Sequence, residues 1–447
     1  MADILLVEAM KGLGTTEMGS VLKFMAYPTK VLRDLVTKDP GFMLANLFRD
    51  SAQAYVTSGT NMIPIIDTFK QAAKILANQS PEAKALMAAG IGGGYEFSGD
   101  VKASAKAVSA ALNEKAGIKT GWQKALWPVS KVWSALEAGT TASDLATRSE
   151  IYARVMKSTN GNEAEAVYQA LEVMNFGRMG SNPLIQVVSA LVPFFNARVQ
   201  GLDVLYRAGT GRLASASAKT QQKLFARRAM YIMGMSIAYW MLARDTDEWK
   251  RASKETRDNN WIIGSVKVPI PFEIGTIFKV LPERILEYTF GNDTGADLAD
   301  SAKRNILSTL KMNPIPQAML PLVEAYWIDY SFFTGNPVIG RGMEKLDPQF
   351  QLREGTSLVA KKMGDITGMS PVKIDHVLQG YTGAMGMYVA SAISAMIRTE
   401  DDGAKASMSL EQTPILKRFF ASDKAGGSID AFYEFKKQVD MVVATQD

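Results

Sequence analysis

Nearly all of this chain is written in residues that favour the helix. Segments such as PEAKALMAAG from Pro81, DVKASAKAVSAALNEKAG from Asp100, NEAEAVYQALEVMNFGR from Asn162 and SAKRNILSTLKM from Ser301 are rich in Ala, Leu, Glu, Lys and Met, which lose little side-chain freedom in a helix. Several begin at residues able to cap the first turn: Ser80 before Pro81, Asn162 before Glu163, and Ser143 with Asp144. Gly90 to Gly99, Asn160 to Asn162, Gly209 to Gly211 and Lys311 to Pro321 punctuate the helical runs. No run sustains a heptad long enough for a coiled coil. The pattern predicts an all-α protein, multi-helix and elongated or bundle-like.

One stretch departs from it. NWIIGSVKVPIPFEI, residues 260–274, is β-branched and aromatic, with Gly264-Ser265 between two short runs. That predicts one small β-hairpin near 260–272, its second strand confined to an edge by Pro269 and Pro271. Composition shifts divide the 447 residues into an N-terminal helical region (1–139), a central region with a basic patch and an apolar helix (140–258), the hairpin with a further helical module (259–398), and a charged, loosely attached tail with one helix, Asp430 to Val443 (399–447).

The chemistry open to the chain is narrow. It has no cysteine and one histidine, His376, so disulfides, zinc-thiolate sites, iron–sulfur clusters and multi-histidine metal centres are out of reach. A serine triad would have to be built on His376, and Asp375 beside it diverges by about 100° on a helix; the histidine reads as structural. Lys and Arg number 50 against 45 Asp and Glu, a net charge of +5, permissive for nucleic acid or anionic lipid but diagnostic of neither. Gly90-Ile91-Gly92-Gly93-Gly94 is followed by Tyr95-Glu96, not by the Gly-Lys-Ser/Thr that a phosphate loop needs, and reads as an interhelical turn. Acids at Asp245, Asp247 and Glu248, and at Glu400 to Asp402, read as solvated loops. The opening MADILLVEAMKGLGTTE has acids at Asp3 and Glu8 and no basic stretch, so it does not read as a signal peptide. No catalytic residue, cofactor or metal is expected, and the chain reads as a non-enzyme.

Three surfaces stand out instead. Arg198, Arg207, Arg212, Lys219, Lys223, Arg227 and Arg228 gather positive charge within some thirty residues, a patch suited to DNA backbone or lipid headgroups without sequence preference. Ala229 to Ala243 and Val377 to Ile397 are uncharged; each is either a core helix or a conditional membrane segment, the first falling short of the roughly 20 residues a spanning helix needs. Gly386, Ala390 and Ser394 repeat every fourth residue and form a ridge of small side chains for close helix packing or assembly.

A series of short elements follows in order: Val268-Pro269-Ile270-Pro271-Phe272-Glu273-Ile274-Gly275, Leu281-Pro282-Glu283, Asn313-Pro314, Leu320-Pro321-Leu322-Val323-Glu324, Phe332-Phe333-Thr334-Gly335-Asn336-Pro337-Val338-Ile339, Thr356-Ser357, Met369-Ser370-Pro371 and Gly380-Tyr381-Thr382-Gly383. The series resembles the helical large polyvalent protein-associated module of tailed phages and mobile elements, most strongly over 260–388. Pro40 to Asp50 is similar to the segment that often precedes that module. The resemblance implies an internal virion protein of the ejection type, carried in the capsid and released with the DNA. It implies virion-interior and then host-envelope or cytoplasmic localisation, and as partners a homo-oligomer, other virion proteins of the portal, core or tail, double-stranded DNA and the host membrane. It transfers no catalytic residue. The alternatives are an accessory domain of a virion-packaged polymerase or cell-wall hydrolase, or a soluble helical scaffold. A mostly helical chain of local contacts, without cysteine, suits a subunit that unfolds to pass a portal and refolds outside.

Overall fold

The structure, a computed structural model, describes residues 19–89, 91, 127–172, 182–213, 217–291, 299, 315–334, 336–340, 342–353, 355–398 and 419–420. Helices dominate, as the composition predicts. In chain order they are α1 (Ser20–Thr37), α2 (Pro40–Thr57), α3 (Ile66–Leu76), α4 (Pro81–Ala88), α5 (Trp127–Ser158), α6 (Glu163–Glu172), α7 (Pro183–Leu191), α8 (Phe195–Gly209), α9 (Ala218–Ala243), α10 (Asp247–Arg251) and α11 (Lys254–Asn259). The hairpin β1 (Asn260–Ile263) and β2 (Val266–Pro269) follows, then α12 (Phe272–Gly275), a π-turn over Thr276–Val280 and α13 (Leu281–Phe290). The remainder comprises α14 (Leu320–Val323) with a π-turn over Glu324–Ile328, a two-residue strand pair β3 (Tyr330–Ser331) and β4 (Asn336–Pro337), α15 (Leu358–Thr367) and α16 (Pro371–Ile397).

Local chemistry starts most of these helices. The Ser80 hydroxyl accepts from the Ala83 N–H at 3.1 Å, and the Asn182 and Asp39 side chains accept from Leu184 N–H and Gly41 N–H at 2.9 and 3.1 Å. In each case proline stands at the first helical position, where its missing N–H costs nothing. Asn162 caps α6 as expected, accepting from Glu165 N–H at 3.2 Å. The expected start at Ser143-Asp144 is a correction: both lie inside α5, where the Ser143 hydroxyl donates to the Met43 carbonyl at 2.9 Å, a tie to α2 that overrides its capping tendency. For the same reason the 139/140 boundary falls within a continuous helix.

α2 is the spine of the molecule. Ala54 faces a core built with Leu86 of α4, Leu145, Ile151 and Val155 of α5 and Val167 and Ala170 of α6. Two residues on, Val56 faces a second core with Leu205 of α8, Ala229 and Ile232 of α9, Ile274 and Phe278. Residues two apart on a helix point about 200° away from each other, which lets one helix serve both sides. The hairpin pairs in the register Asn260↔Pro269 to Ile263↔Val266. Its two-residue turn places Gly264 at φ +56°, a conformation glycine reaches without penalty. The second strand ends at Pro269, earlier than the apolar run suggests, because Phe272 already opens a helix.

Of the predicted tail, residues 419 and 420 are described, and they pair with the hairpin. Lys267 N–H donates to the Phe419 carbonyl at 2.7 Å, and Phe420 bridges Val266 in antiparallel fashion, so the free edge of β2 is covered. The expected helix at Asp430 to Val443 and the glycine turn, apart from Ile91, lie outside the described residues. The candidate membrane segments resolve into α9 and α16. α9 is buried along one side only, and α16 is kinked at Gly383 (φ +63°), where an added Cβ would lie 2.9 Å from Val36 Cγ2 of α1. No helix among the described residues is long and apolar enough to cross a membrane.

Candidate functional site

The basic patch begins on α8 and ends on α9, and burial sorts its seven residues. Arg198 turns towards the buried Glu273 carboxyl, which Gly201 admits: a Cβ there would sit 2.6 Å from Glu273 Oε1. Burial pushes the Arg198 guanidinium below its ordinary value, the Glu273 charge opposing it, and pushes the Glu273 carboxyl up. Arg207 is ion-paired with Glu172 of α6 and with Asp203 at 2.8 Å. Burial works against that charge, yet the two carboxylates outweigh it and hold the guanidinium above its usual range.

Arg228 overturns its assignment as a DNA or lipid contact. Its Nη1 donates to the carbonyls of Tyr55 and Ser58 at 2.7 and 2.6 Å and its Nη2 to that of Thr60 at 2.5 Å, while the guanidinium stacks 4.9 Å from the Tyr55 ring. These carbonyls end α2, where helical partners run out and the dipole favours a cation. Burial lowers the Arg228 pKa, Tyr55 opposing and Arg227 adding to the shift. This arginine is a helix cap.

Arg212, Lys219, Lys223 and Arg227 remain exposed. Arg212 leaves the turn where Gly211 (φ +72°) packs so closely that a Cβ would stand 2.6 Å from the Ala218 carbonyl oxygen. Its guanidinium lies 6.0 Å from the Tyr206 ring. Lys219, Lys223 and Arg227 follow at four-residue steps along α9, which puts them on one face; none has an ion-pair partner among the described residues. The structure therefore keeps a four-residue cationic edge out of the seven.

The small-residue ridge is used inside the chain. Ala390 and Ser394 are buried; the Ser394 hydroxyl donates to the Ala390 carbonyl at 2.6 Å and accepts from the Val359 N–H of α15 at 3.4 Å. Gly386 is half-buried. A Cβ on Gly386 would meet Thr382 of its own helix, whereas a Cβ on Gly380 would lie 2.6 Å from Pro321 of α14. Around it Tyr381 donates to the Ala318 carbonyl at 2.7 Å, and Gln317 Nε2 to the Gly380 carbonyl at 2.8 Å.

Sequence reasoning missed two buried centres that sit on glutamates of the ordered series. Glu324 receives the Phe332 N–H at 2.7 Å and lies 2.8 Å from His376 Nε2, giving the lone histidine a structural partner. Glu283 accepts from Lys279 at 2.7 Å; Lys279, fully buried, also donates to the Arg257 carbonyl at 2.5 Å, and Arg284 grips Asp258 at 2.6 Å beside it. Burial drives the Glu283 carboxyl up to about 7, Lys279 opposing, and lowers the Lys279 ammonium, Glu283 opposing. Tyr239 closes this knot, its hydroxyl receiving the Ile262 N–H of β1 at 2.9 Å and its pKa pushed up to about 12 by burial. The knot ties α9, α11, the hairpin and α13 together. No group of three or more metal-binding side chains occurs among the described residues.

The hairpin, the docking of Gly380-Tyr381 and the knot, apart from Tyr239 of α9, fall within residues 246–416, which match the family model of large polyvalent protein associated domain 38. The match begins before the hairpin, at α10, and ends at residue 416, so it is wider on both sides than the ordered series. No curated protein and no solved structure matches the chain. The stretch is a polyvalent-protein-associated, phage-type module. The residue just before the N-terminal Pro40–Asp50 segment meets it directly: Tyr388 of α16 donates to Asp39, the cap of α2, at 3.0 Å.

Proposed function

We propose that the chain is a non-enzymatic, structural internal virion protein of a tailed phage, ejected with the DNA and assembled around its exit path. The observation that carries this reading is the match of residues 246–416 to a polyvalent-protein-associated module. Arg212, Lys219, Lys223 and Arg227 supply the contact to phosphate, in the DNA backbone or in anionic headgroups at the envelope surface; a row of exposed cations on a helix binds both without reading sequence. A scaffold whose motif glutamates are buried as internal ties has its polar chemistry committed to holding the fold.

Quantitative peptide mass spectrometry on purified particles, and on the host envelope fraction just after adsorption, tests the proposal. Several copies per particle, recovered in the envelope after infection, are the expected result. Retention in emptied particles would make the protein a fixed capsid or portal component. Absence from particles would overturn the reading and return the chain to a cytoplasmic scaffold or an enzyme's accessory domain.

A further inference from the structure

The exposed face of α9 has two halves and a charge at each end. After Lys219, Lys223 and Arg227 it continues as Met230, Tyr231, Gly234, Met235, Ala238, Met241 and Leu242, with Met230 64 % and Leu242 81 % exposed. No charged residue interrupts this second half. At its far end stand Asp245 and Asp247, their side chains 80 % and 76 % exposed, held locally by a contact to Arg244 at 3.9 Å and a bridge to Arg251 at 3.2 Å. Glu248 follows. The helix is 26 residues long, so this face runs roughly 39 Å. Nothing in the described fold covers it, and its apolar half, roughly 20 Å from Met230 to Leu242, marks a contact surface when left on water.

We propose that this face is a two-fold interface, on which α9 of a second copy of the chain lies antiparallel with Gly234 at the crossing. Lys223 lies as far before Gly234 as Asp245 lies after it, so this register sets Lys223 against Asp245 of the second copy, and Lys219 beside Asp247 and Glu248. Each contact occurs twice, as an isologous interface requires. Between them, Met230 meets Ala238 and the stem of Arg227 lies along Met241, both apolar contacts. Gly234 suits the crossing point: a Cβ built there meets nothing within 4 Å, so the space above it is open to a neighbouring helix. A parallel pair would stack lysine on lysine and aspartate on aspartate. An anionic bilayer would be attracted at the Lys219–Arg227 end and gain nothing at the other, where Asp245, Asp247 and Glu248 offset Arg244, Lys250 and Arg251, whereas a second, inverted copy brings the lysines to the acids at both ends. The pairing does not depend on the phage reading, but it takes up Lys219 and Lys223, so it competes with the phosphate contact and the two are alternative states of this edge. Being two-fold, it closes on itself, and a ring would need a second, different surface.

The test uses the full chain, in which Gly234→Cys would be the sole cysteine. Sedimentation at tens of micromolar should find a dimer, and diamide should convert the Gly234→Cys variant to a covalent dimer while forming no cross-link in a Lys219→Cys variant. Reversing the cations (Lys219→Glu with Lys223→Glu) or the acids (Asp245→Lys with Asp247→Lys) should each weaken pairing by about tenfold, and an equimolar mixture of the two should pair again. Circular dichroism confirms that each variant is folded. A monomeric wild type, equal cross-linking at Lys219→Cys, or a mixture that stays apart would overturn the interface. A monomer whose Gly234→Cys thiol resists labelling would overturn it too, by showing that another part of the chain covers the face. DNA affinity separates this failure from that of the phosphate contact: the acid reversal should weaken pairing while leaving DNA binding intact or stronger.

Discussion

Two regions of the molecule use the same side chains to opposite ends. In the knot beside the hairpin, Lys279, Glu283, Asp258 and Arg284 are all at most 6 % exposed, and every charge is met by another or by a carbonyl. On α9, Lys219, Lys223 and Arg227 are exposed and carry no ion pair among the described residues. Desolvation decides the difference. A charge withdrawn from water must be answered within the fold and then holds it together, while a charge left in water contributes little to stability and is available to a partner. Arg227 and Arg228 compress the contrast into neighbouring positions, one facing solvent and one capping α2.

The strongest way to break that comparison is to orphan one charge of the knot. Lys279→Met should destabilise the protein by about 3–5 kcal/mol, because Glu283 stays buried without its partner, while Lys279→Met combined with Glu283→Leu should recover most of the loss. Urea unfolding followed at the helical band measures both; equal losses in the single and double variants would show that packing and not charge holds this centre. A smaller effect is expected one region away. Arg228→Ala leaves three carbonyls at the end of α2 without a donor and should cost about 3 kcal/mol, whereas Arg227→Ala should stay within about 0.5 kcal/mol. If the neighbouring substitutions cost the same, the division between inward and outward cations fails.

Much of this arrangement is legible before any coordinates. Caps at Ser80, Asn162 and Asn182 are local events, set by a side chain and the next three residues, and the hairpin is announced by its two-residue turn. The direction of Arg228 was also readable: Arg228, Ile232, Ser236 and Trp240 recur at four-residue steps and share the buried side of α9, while Arg227 falls in line with Tyr231. The knot was not readable. Lys279 and Glu283 have the spacing of an ordinary surface pair on a helix, and what buries them is the packing of α9, α11 and the hairpin, which no short window contains. The ridge at Gly386, Ala390 and Ser394 was read as a packing surface, and Ser394 does bond α15, but the close approach of Gly380 to Pro321 rests on a partner distant in sequence. Phe419–Phe420 pairing to β2 is invisible for the same reason.

Acid should sharpen the contrast between the regions. Burial raises the Glu283 carboxyl from 4.5 in an open chain to about 7 in the fold. The folded state therefore binds this proton more tightly than the unfolded state does. The resulting stability is full below pH 4.5 and is lost as pH rises towards about 7, the reverse of the usual carboxylate trend. Asp50 and Glu273, raised chiefly by burial, act in the same direction. Unfolding free energies across this window should show the wild type losing ground to Glu283→Gln as pH rises, with a constant difference above it. A difference that does not change with pH would mean that Glu283 titrates as an exposed group does. Charge reversal at Lys219 and Lys223 of α9, which make no ion pair with Glu283, should leave this pH profile unchanged.

The gentlest effect is expected where the charges are free. Removing Lys219 and Lys223 together should leave the fold intact and change how DNA affinity depends on salt. Each phosphate neutralised by a cation releases condensed counterions, so log K falls with log salt at a slope of about −0.9 per contact on duplex DNA, and losing both lysines should flatten that slope by about 2. Fluorescence anisotropy on duplexes of unrelated sequence, at several salt concentrations, reads this directly, and the loss should be the same for every sequence because phosphates carry no base identity. Arg207→Gln is the matched control from the buried side: it removes one positive charge, like each lysine substitution, but from a guanidinium already paired with Glu172 and Asp203. An equal change in slope for Arg207→Gln would show that DNA responds only to net charge, and the cationic edge of α9 would lose its standing as a site. An unchanged slope for Arg207→Gln beside a flattened one for the lysines would place the contact on that edge, because counterion release counts the cations that reach phosphate and not those already answered within the fold.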